Sequence, residues 1–257
     1  MEPGRVRGDA AAFRANAPRL FVLDERIAVS AVVLIAVPDR AVAETAAAGA
    51  ALNADLRHQV WLHTAGALGA SALAPVARCA AGVGGFHPAR AFPPGRVSKM
   101  PPGTIFGVDG NDAALRTAAA LAEALGGRVV RVPEEIRSLY HAMCVMASNA
   151  LIGLLADATR TLASAGIDEA DAERLLVTLA GGAVFEAASN GLEAALTGPV
   201  QRGDAATVSR HLDALCSHRA TAALYRAAAR AILRAARSQG NTDVAALAKI
   251  EDIIDAD

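Results

Sequence analysis

The chain has 257 residues, with 26 acidic and 25 basic side chains and a net charge of −1, which leaves no basic footprint for nucleic acid. It is 53% hydrophobic but only 4% aromatic, a balance that favours closely packed, alanine-rich helices over a core of large rings. Cys79, Cys144 and Cys216 are odd in number and form no CxxC pair, which argues against a disulfide framework or zinc site and suits a reducing cytoplasm.

The opening MEPGRVRGDAAAFRANAP carries no apolar signal core, and the longest apolar run, residues 142–156, is expected to be too short to span a bilayer. Six short β-branched runs then mark strands at 19–23, 31–37, 59–63, 83–86, 104–108 and 128–132. The run AVVLIAV is apolar on every residue, as expected of a strand covered on both faces. Helical stretches at 40–52, 70–79 and 112–125 lie between the runs, so strand–helix–strand alternation predicts an open, doubly wound sheet.

From Pro133 the pattern changes to helical periodicity alone, broken at Gly166-Ile-Asp, Gly181-Gly182, Thr197-Gly-Pro and Gly240-Asn. Pro133-Glu-Glu is a helix start, and Asp168 and Asp204 are expected N-caps. Arg226, Arg230, Arg234 and Arg237 are expected to form a solvated helix face, and 241–257 a short amphipathic helix. The predicted architecture is an α/β domain over 1–132 followed by an all-α domain over 133–257.

No G-x-G-x-x-G string follows a strand and opens a helix, so the turn that normally holds a dinucleotide pyrophosphate is missing from this pattern. His63 to Leu68 (HTAGAL) is expected to follow a strand and open a helix, with Thr64 and Ala65 offering N–H groups to an anion, or Thr64 acting as a cap. His87-Pro88 ends a strand at the carboxyl edge, where open sheets bind ligands. A histidine there, with an ordinary pKa near neutrality, could exchange a proton; holding the loop before Pro88 is the structural alternative.

His141, Val145 and Asn149 are spaced i, i+4, i+8, predicting one shared helix face flanked by Tyr140 and Ser148, either for substrate or for contacts with a second copy or the sheet. Thr197-Gly-Pro and Arg202-Gly-Asp204 are chiefly turn punctuation, with Arg202 free to reach a substrate carboxylate. His211 and His218 lack a carboxylate or cysteine partner at metal spacing, so no metal is expected.

Several strings together carry a resemblance: VVLIAVPDRAVAE, WLHTAGALGASALAP, GGFHPARAF and FGVDGND, then RSLYHAMCVMASNALIGLL, ALTGPVQRGDAATVSRHLDAL and LYRAAAR. They resemble successive stations of the Rossmann-like proteins with a DUF2520 C-terminal domain, related to pyrroline-carboxylate, ketopantoate and β-hydroxyacid reductases. GGFHPARAF is also similar to the G-x-H-P segment of prephenate dehydrogenases.

The resemblance implies an incomplete doubly wound Rossmann-like sheet and an all-α domain like the C-terminal part of 6-phosphogluconate dehydrogenase. It implies NADP or NAD as cofactor, with Val37, Pro38, Asp39, Thr64, Ala65 and Gly66 facing it. His87, His141 and Asn149 are the implied catalytic residues, and Ser148 and Arg202 the implied substrate contacts. The family's glycine-rich strand and turn would precede this chain's first strong strand, so either the true start lies upstream or the first β-α-β unit has been shed.

Related reductases use a helix lysine as acid one turn before an asparagine, but Val145 holds that position here, and the only lysines are Lys99 and Lys249. Two functions therefore stand: hydride transfer between NAD(P) and a small keto, hydroxy or imino acid, or a non-catalytic ligand-binding or dimeric module. A small-molecule substrate and a homodimer are the expected partners, with no nucleic acid and no membrane. Without a neighbour, the strand at 31–37 would be an edge, needing cover from residues 9–23 or from a second chain.

Overall fold

A computed structural model of the chain describes residues 30–52, 55–92 and 100–256. The expected strand at 19–23 and the cover by 9–23 lie outside the described residues. The chain divides into two compact units between Ser148 and Asn149. The expected boundary at 132/133 falls where the strands end, and the next helix groups with the sheet.

Five strands form one sheet: β1 (Val32–Ile35), β2 (Val60–His63), β3 (Gly82–Pro88), β4 (Ile105–Val108) and β5 (Arg128–Arg131), in the order β1-β2-β3-β4-β5. β1, β2 and β3 run parallel, as do β4 and β5, but β4 is antiparallel to β3. That reversal departs from uniform winding. No helix is found among the described residues joining β3 to β4, and a parallel return requires a crossover. Among the described residues β1 pairs only with β2 and so ends the described sheet, with Leu34 about half exposed.

The strand alternation sends Ile35 and Trp61 to one face, where they pack with Val42 and Ala46 of helix α1 (Val42–Ala50) and with Val76 of the short α2 (Ala74–Ala77). Gly49 of α1 lies flat on Trp61, and any Cβ there would collide with the indole ring. The other face holds Leu62, Phe86 and Phe106 against α3 (Asp112–Ala124). Ala114, Ala118 and Ala122 recur every four residues, so α3 presents a smooth stripe that approaches the sheet closely. The Asn111 side chain caps α3 by accepting a hydrogen bond from Ala114 N.

Past Pro133, a 3-10 turn at Glu134–Ile136 leads into α4 (Arg137–Val145), a π turn (Met146–Ala150) and α5 (Leu151–Ser164). The helical run Glu134–Ser164 spans 31 residues and contains an 18-residue window of mean hydropathy 1.6, long and apolar enough, by length and composition, to cross a membrane. The expectation that the apolar run is too short is thereby corrected, because the helix extends well beyond residues 142–156 on both sides.

The second unit continues with α6 (Glu169–Asn190), α7 (Leu192–Ala195), α8 (Ala205–Ala214), α9 (Arg219–Gln239) and α10 (Val244–Asp255). Asp168 and Asp204 cap α6 and α8 as expected, each accepting a backbone N–H three residues on. Gly181-Gly182 does not break α6, which runs through to Gly191 at φ 88°. Two glycines cost a helix about 1 kcal/mol each, a penalty that a 22-residue element flanked by good formers absorbs.

Leu247, Ile250 and Ile254 of α10 are buried with Val208 and Leu233, so the C-terminal helix packs within its own unit. Its end is held by three arginines of α9; Arg230, Arg234 and Arg237 are exposed, as expected of a solvated face, and Arg226 is partly buried. Arg226 donates to the Ile253 and Ile254 carbonyls, Arg230 to Ile254 O and Asp255, and Arg237 pairs with Glu251. These side chains satisfy carbonyls that the last helical turn leaves open.

Candidate functional site

At the carboxyl end of β3, the His87 ring meets side chains from the first turns of α4. Its Nδ1 lies 2.9 Å from the Tyr140 hydroxyl, and its ring stands edge-on to His141 with centroids 5.9 Å apart. Gly66, in the loop after β2, closes the group from below. A Cβ at Gly66 would fall 2.5 Å from His141 Cδ2 and 2.9 Å from His87 Nε2. The structure thus brings together Gly66, His87 and His141, with Tyr140 as their link.

Electrostatics correct one expectation. His87 does not titrate near neutrality: its pKa is lowered to about 4, first by burial and then by the nearby positive charge of His141 and Arg137. It is therefore neutral at physiological pH. Tyr140 is pushed up to about 12, by burial and by its hydrogen bond with Cys144, so its hydroxyl keeps its proton. A protonated phenol beside a neutral imidazole makes a chain of neutral donors and acceptors.

The loop at 64–69 also differs from expectation. The next helix begins as a 3-10 turn at Ala70–Leu73, with Gly69 at its N-cap, so Thr64 and Ala65 stand at no helix N-terminus and Thr64 caps nothing. The loop is instead pinned at both ends. Thr64 N donates to Ile35 O, and His63 Nε2 donates to Gly69 O. That second bond fixes the His63 proton on Nε2 and leaves its buried Nδ1 without a partner.

Two residues that sequence reasoning passed over anchor the site. Asp109, just after β4, accepts from Gly85 N at 2.7 Å, from Ala70 N at 2.9 Å and from Arg137 Nη2 at 2.6 Å. Both partners of the ion pair are buried, with side chains only 1% and 5% exposed. The available signal was Arg137 one turn before Tyr140-His141, but nothing local pairs it with an aspartate 28 residues away.

Val37, Pro38 and Asp39 follow β1 at the same carboxyl edge. Asp39 occupies the first turn of a 3-10 helix (Asp39–Ala41), where a carboxylate opposes a bound phosphate. A cleft of about 380 Å³ opens beside these loops, lined by Leu34, Ala36, Thr64, His87, Arg90 and Phe106 among others.

Ser148 lies in the π turn and donates to Cys144 O. Asn149 follows it in the second unit, and the exposed Arg202 sits there on the turn before α8. The π turn uses i→i+5 spacing, so the i, i+4, i+8 argument that grouped Asn149 with His141 does not hold through it. His211 Nδ1 lies 2.9 Å from the Tyr225 hydroxyl.

A mostly parallel sheet with polar groups gathered at its carboxyl edge, followed by an all-helical region, is a Rossmann-like fold. Solved structures agree. A Thermotoga maritima protein, TM1727, is 26% identical with a TM-score of 0.70, over 82% of this chain and 81% of that one. BF3122 from Bacteroides fragilis, whose name assigns it provisionally to the NADP oxidoreductases, is 20% identical at TM-score 0.62, over 79% and 75%.

Pyrroline carboxylate reductase from Plasmodium falciparum, solved with NADP bound, is 11% identical at TM-score 0.54, over 91% and 81%. No curated protein matches the chain. The model of the domain of unknown function DUF2520 matches residues 104–232, and the chain belongs to that family.

For a dinucleotide, the fit divides along its length. The loops after β1 and β2 stand at the carboxyl edge of the sheet. A glycine-rich phosphate turn does not occur among the described residues.

Proposed function

We propose that the chain is an NAD(P)-dependent oxidoreductase acting on a small keto, hydroxy or imino acid. The observation that carries this reading is the assembly of Gly66, His87, Tyr140 and His141 at the carboxyl edge of the sheet. Val37, Pro38 and Asp39 after β1, with Thr64, Ala65 and Gly66 after β2, would line the cofactor's nicotinamide end. The nicotinamide, when bound, supplies or accepts the hydride.

The chain's own residues handle the proton. With the Tyr140 hydroxyl donating to His87 Nδ1, the ring proton sits on Nε2, beside Gly66, where it can hydrogen-bond a substrate carbonyl or imine. His141 shares that edge and keeps water from one side of it. Ser148, on the same unit, is proposed as a polar contact for the rest of the substrate.

Titrating the chain with NADPH and following nicotinamide fluorescence tests this reading. Saturable binding that the His87→Ala variant alters supports it. No binding at millimolar cofactor favours a non-catalytic, ligand-binding module instead.

We also propose that the protein works as a homodimer in the cytoplasm, without membrane or nucleic acid. Only Ala172 of α6's 22 residues is buried, while Leu175, Leu179 and Phe185 are each more than half exposed. A two-fold axis would set two such faces against each other. A lipid partner suits the neighbouring α5 poorly: its Asp157 bonds Thr221 of α9 and pairs with Arg160, inside what a bilayer would require to be apolar. Light scattering should give twice the 26.1 kDa chain mass, and Leu179→Glu should return the monomer.

A further inference from the structure

We infer that Arg137 is the positioning residue of this site: seated over Gly85 and locked to Asp109, it sets where α4 stands on the sheet and so where Tyr140 and His141 meet His87. The inference rests on the proton-handling role proposed above for that trio.

The sheet prepares a seat for the guanidinium. His63 pairs with Gly85 across β2 and β3, and Asp109 N bonds Gly85 O across to the end of β4, so His63, Gly85 and Asp109 stand in one row. Gly85 is the gap in that row. A Cβ there would lie 2.5 Å from Arg137 Nη2, so arginine occupies the space that any larger residue would take.

The same device recurs twice beside it. A Cβ at Gly107 would lie 2.5 Å from the Tyr140 hydroxyl, and one at Gly66 would lie 2.5 Å from His141 Cδ2. Three glycines thus each receive one polar side chain from the same two turns of α4. Arg137, Tyr140 and His141 are spaced i, i+3, i+4, which places them on one side of the helix. The Arg137 guanidinium carbon also lies 5.9 Å from the centre of the Tyr140 ring.

What seats α4 is charge, because Arg137 is its only buried residue, while Leu139 and Met143 are about half exposed or more. Stability alone explains an arginine here poorly. A buried ion pair is often no better than apolar residues of the same volume, and the Nε and Nη1 of Arg137 have no partner. What an apolar residue could not provide is direction. Asp109 ties the guanidinium to β3 through Gly85 N and to the loop after β2 through Ala70 N, fixing three elements about one point.

The test is NMR of nitrogen-labelled histidine and arginine side chains in the full chain, with circular dichroism to establish folding. Groups bearing on His87 are Tyr140, His141 and Arg137 of α4, His63 of β2 and Asp39 after β1. In the native chain His87 should titrate near 4, and the Arg137 Nε proton should exchange slowly. In Arg137→Met and Gly85→Ala, the His87 midpoint should rise by about one unit or more, with its Nδ1 signal moving as the Tyr140 bond loosens. His211 serves as the internal control.

Arg137→Lys, a milder change, should shift His87 the same way by less, which covers the case where Arg137→Met fails to fold. Folded variants with unchanged His87 signals overturn the inference. So does a native Arg137 Nε proton that exchanges as fast as a free arginine's. None of these readouts uses cofactor, so a chain that ignored NADPH would sink the proposed activity and leave this inference standing.

Discussion

Replacing Gly66 with alanine adds one methyl group at the point where the loop after β2 meets two rings. That methyl would sit 2.5 Å from His141 Cδ2 and 2.9 Å from His87 Nε2, and both approaches require movement. His87 is held through Tyr140, so His141 is the freer of the two to swing away. Overpacking of this kind costs about 1–3 kcal/mol.

The single tryptophan, Trp61, is fully buried on β2 shortly before the loop, so its fluorescence during urea unfolding reports on the sheet unit alone. A loss of about 2 kcal/mol would appear in its transition, with a fall of roughly 4–8 °C in the matching thermal midpoint. The decisive comparison is a double-mutant cycle with His141→Ala. Removing the ring should relieve most of the alanine's cost and give a coupling of about 1 kcal/mol or more. A cost below about 0.5 kcal/mol, or strict additivity, would refute the packing described for this site.

Acid should destabilise the sheet unit through His87. Its folded pKa of about 4 lies below the unfolded 6.5, so the unfolded chain binds the extra proton and stability falls as pH drops through that window. The effect should be about 1–2 kcal/mol once partial exposure is discounted, and His87→Asn should flatten the pH slope of the Trp61 transition by that amount. Ile250→Ala should cost the second unit about 2–5 kcal/mol, seen as a lowered helical melt by circular dichroism, because Ile250 is fully buried under α9. Asp204→Ala should remove about 1 kcal/mol from the same transition through loss of the α8 cap.

Local signals carried most of the architecture. Five of the six expected strands appear where β-branched runs predicted them, and the sixth lies outside the described residues. Asp168 and Asp204 cap as predicted, since capping depends on residues three apart. Failures came where geometry is set at a distance. Gly181-Gly182 looks like a stop, but α6 passes through it because no left-handed residue follows until Gly191.

The α9 arginines are solvated as expected, but their pairing with the end of a helix some 25 residues on is not visible locally. Likewise, His87, Gly66 and His141 each drew attention alone, yet nothing in their local strings says that they touch. Asp109 and Arg137 drew none, because a buried ion pair is visible only once strand register and helix placement are known.

The neutral state of His87 and Tyr140 has a consequence for the proposed reaction. Arg137 is locked to Asp109 in a buried ion pair. His87 is uncharged, Tyr140 holds its proton up to about pH 12, and neither lysine lies on α4. His87 and Tyr140 can donate hydrogen bonds and relay a proton, but neither is a strong acid at pH 7. A carbonyl accepting hydride develops an alkoxide that must be protonated, whereas a protonated imine becomes an amine with no such demand. On the proposed reading, cyclic or acyclic imino acids should therefore be turned over faster than keto acids of the same size at neutral pH. The gap should narrow as pH falls toward 4 and His87 gains its charge. A keto acid preferred at pH 7, with a rate independent of His87, would show that the proton comes from elsewhere.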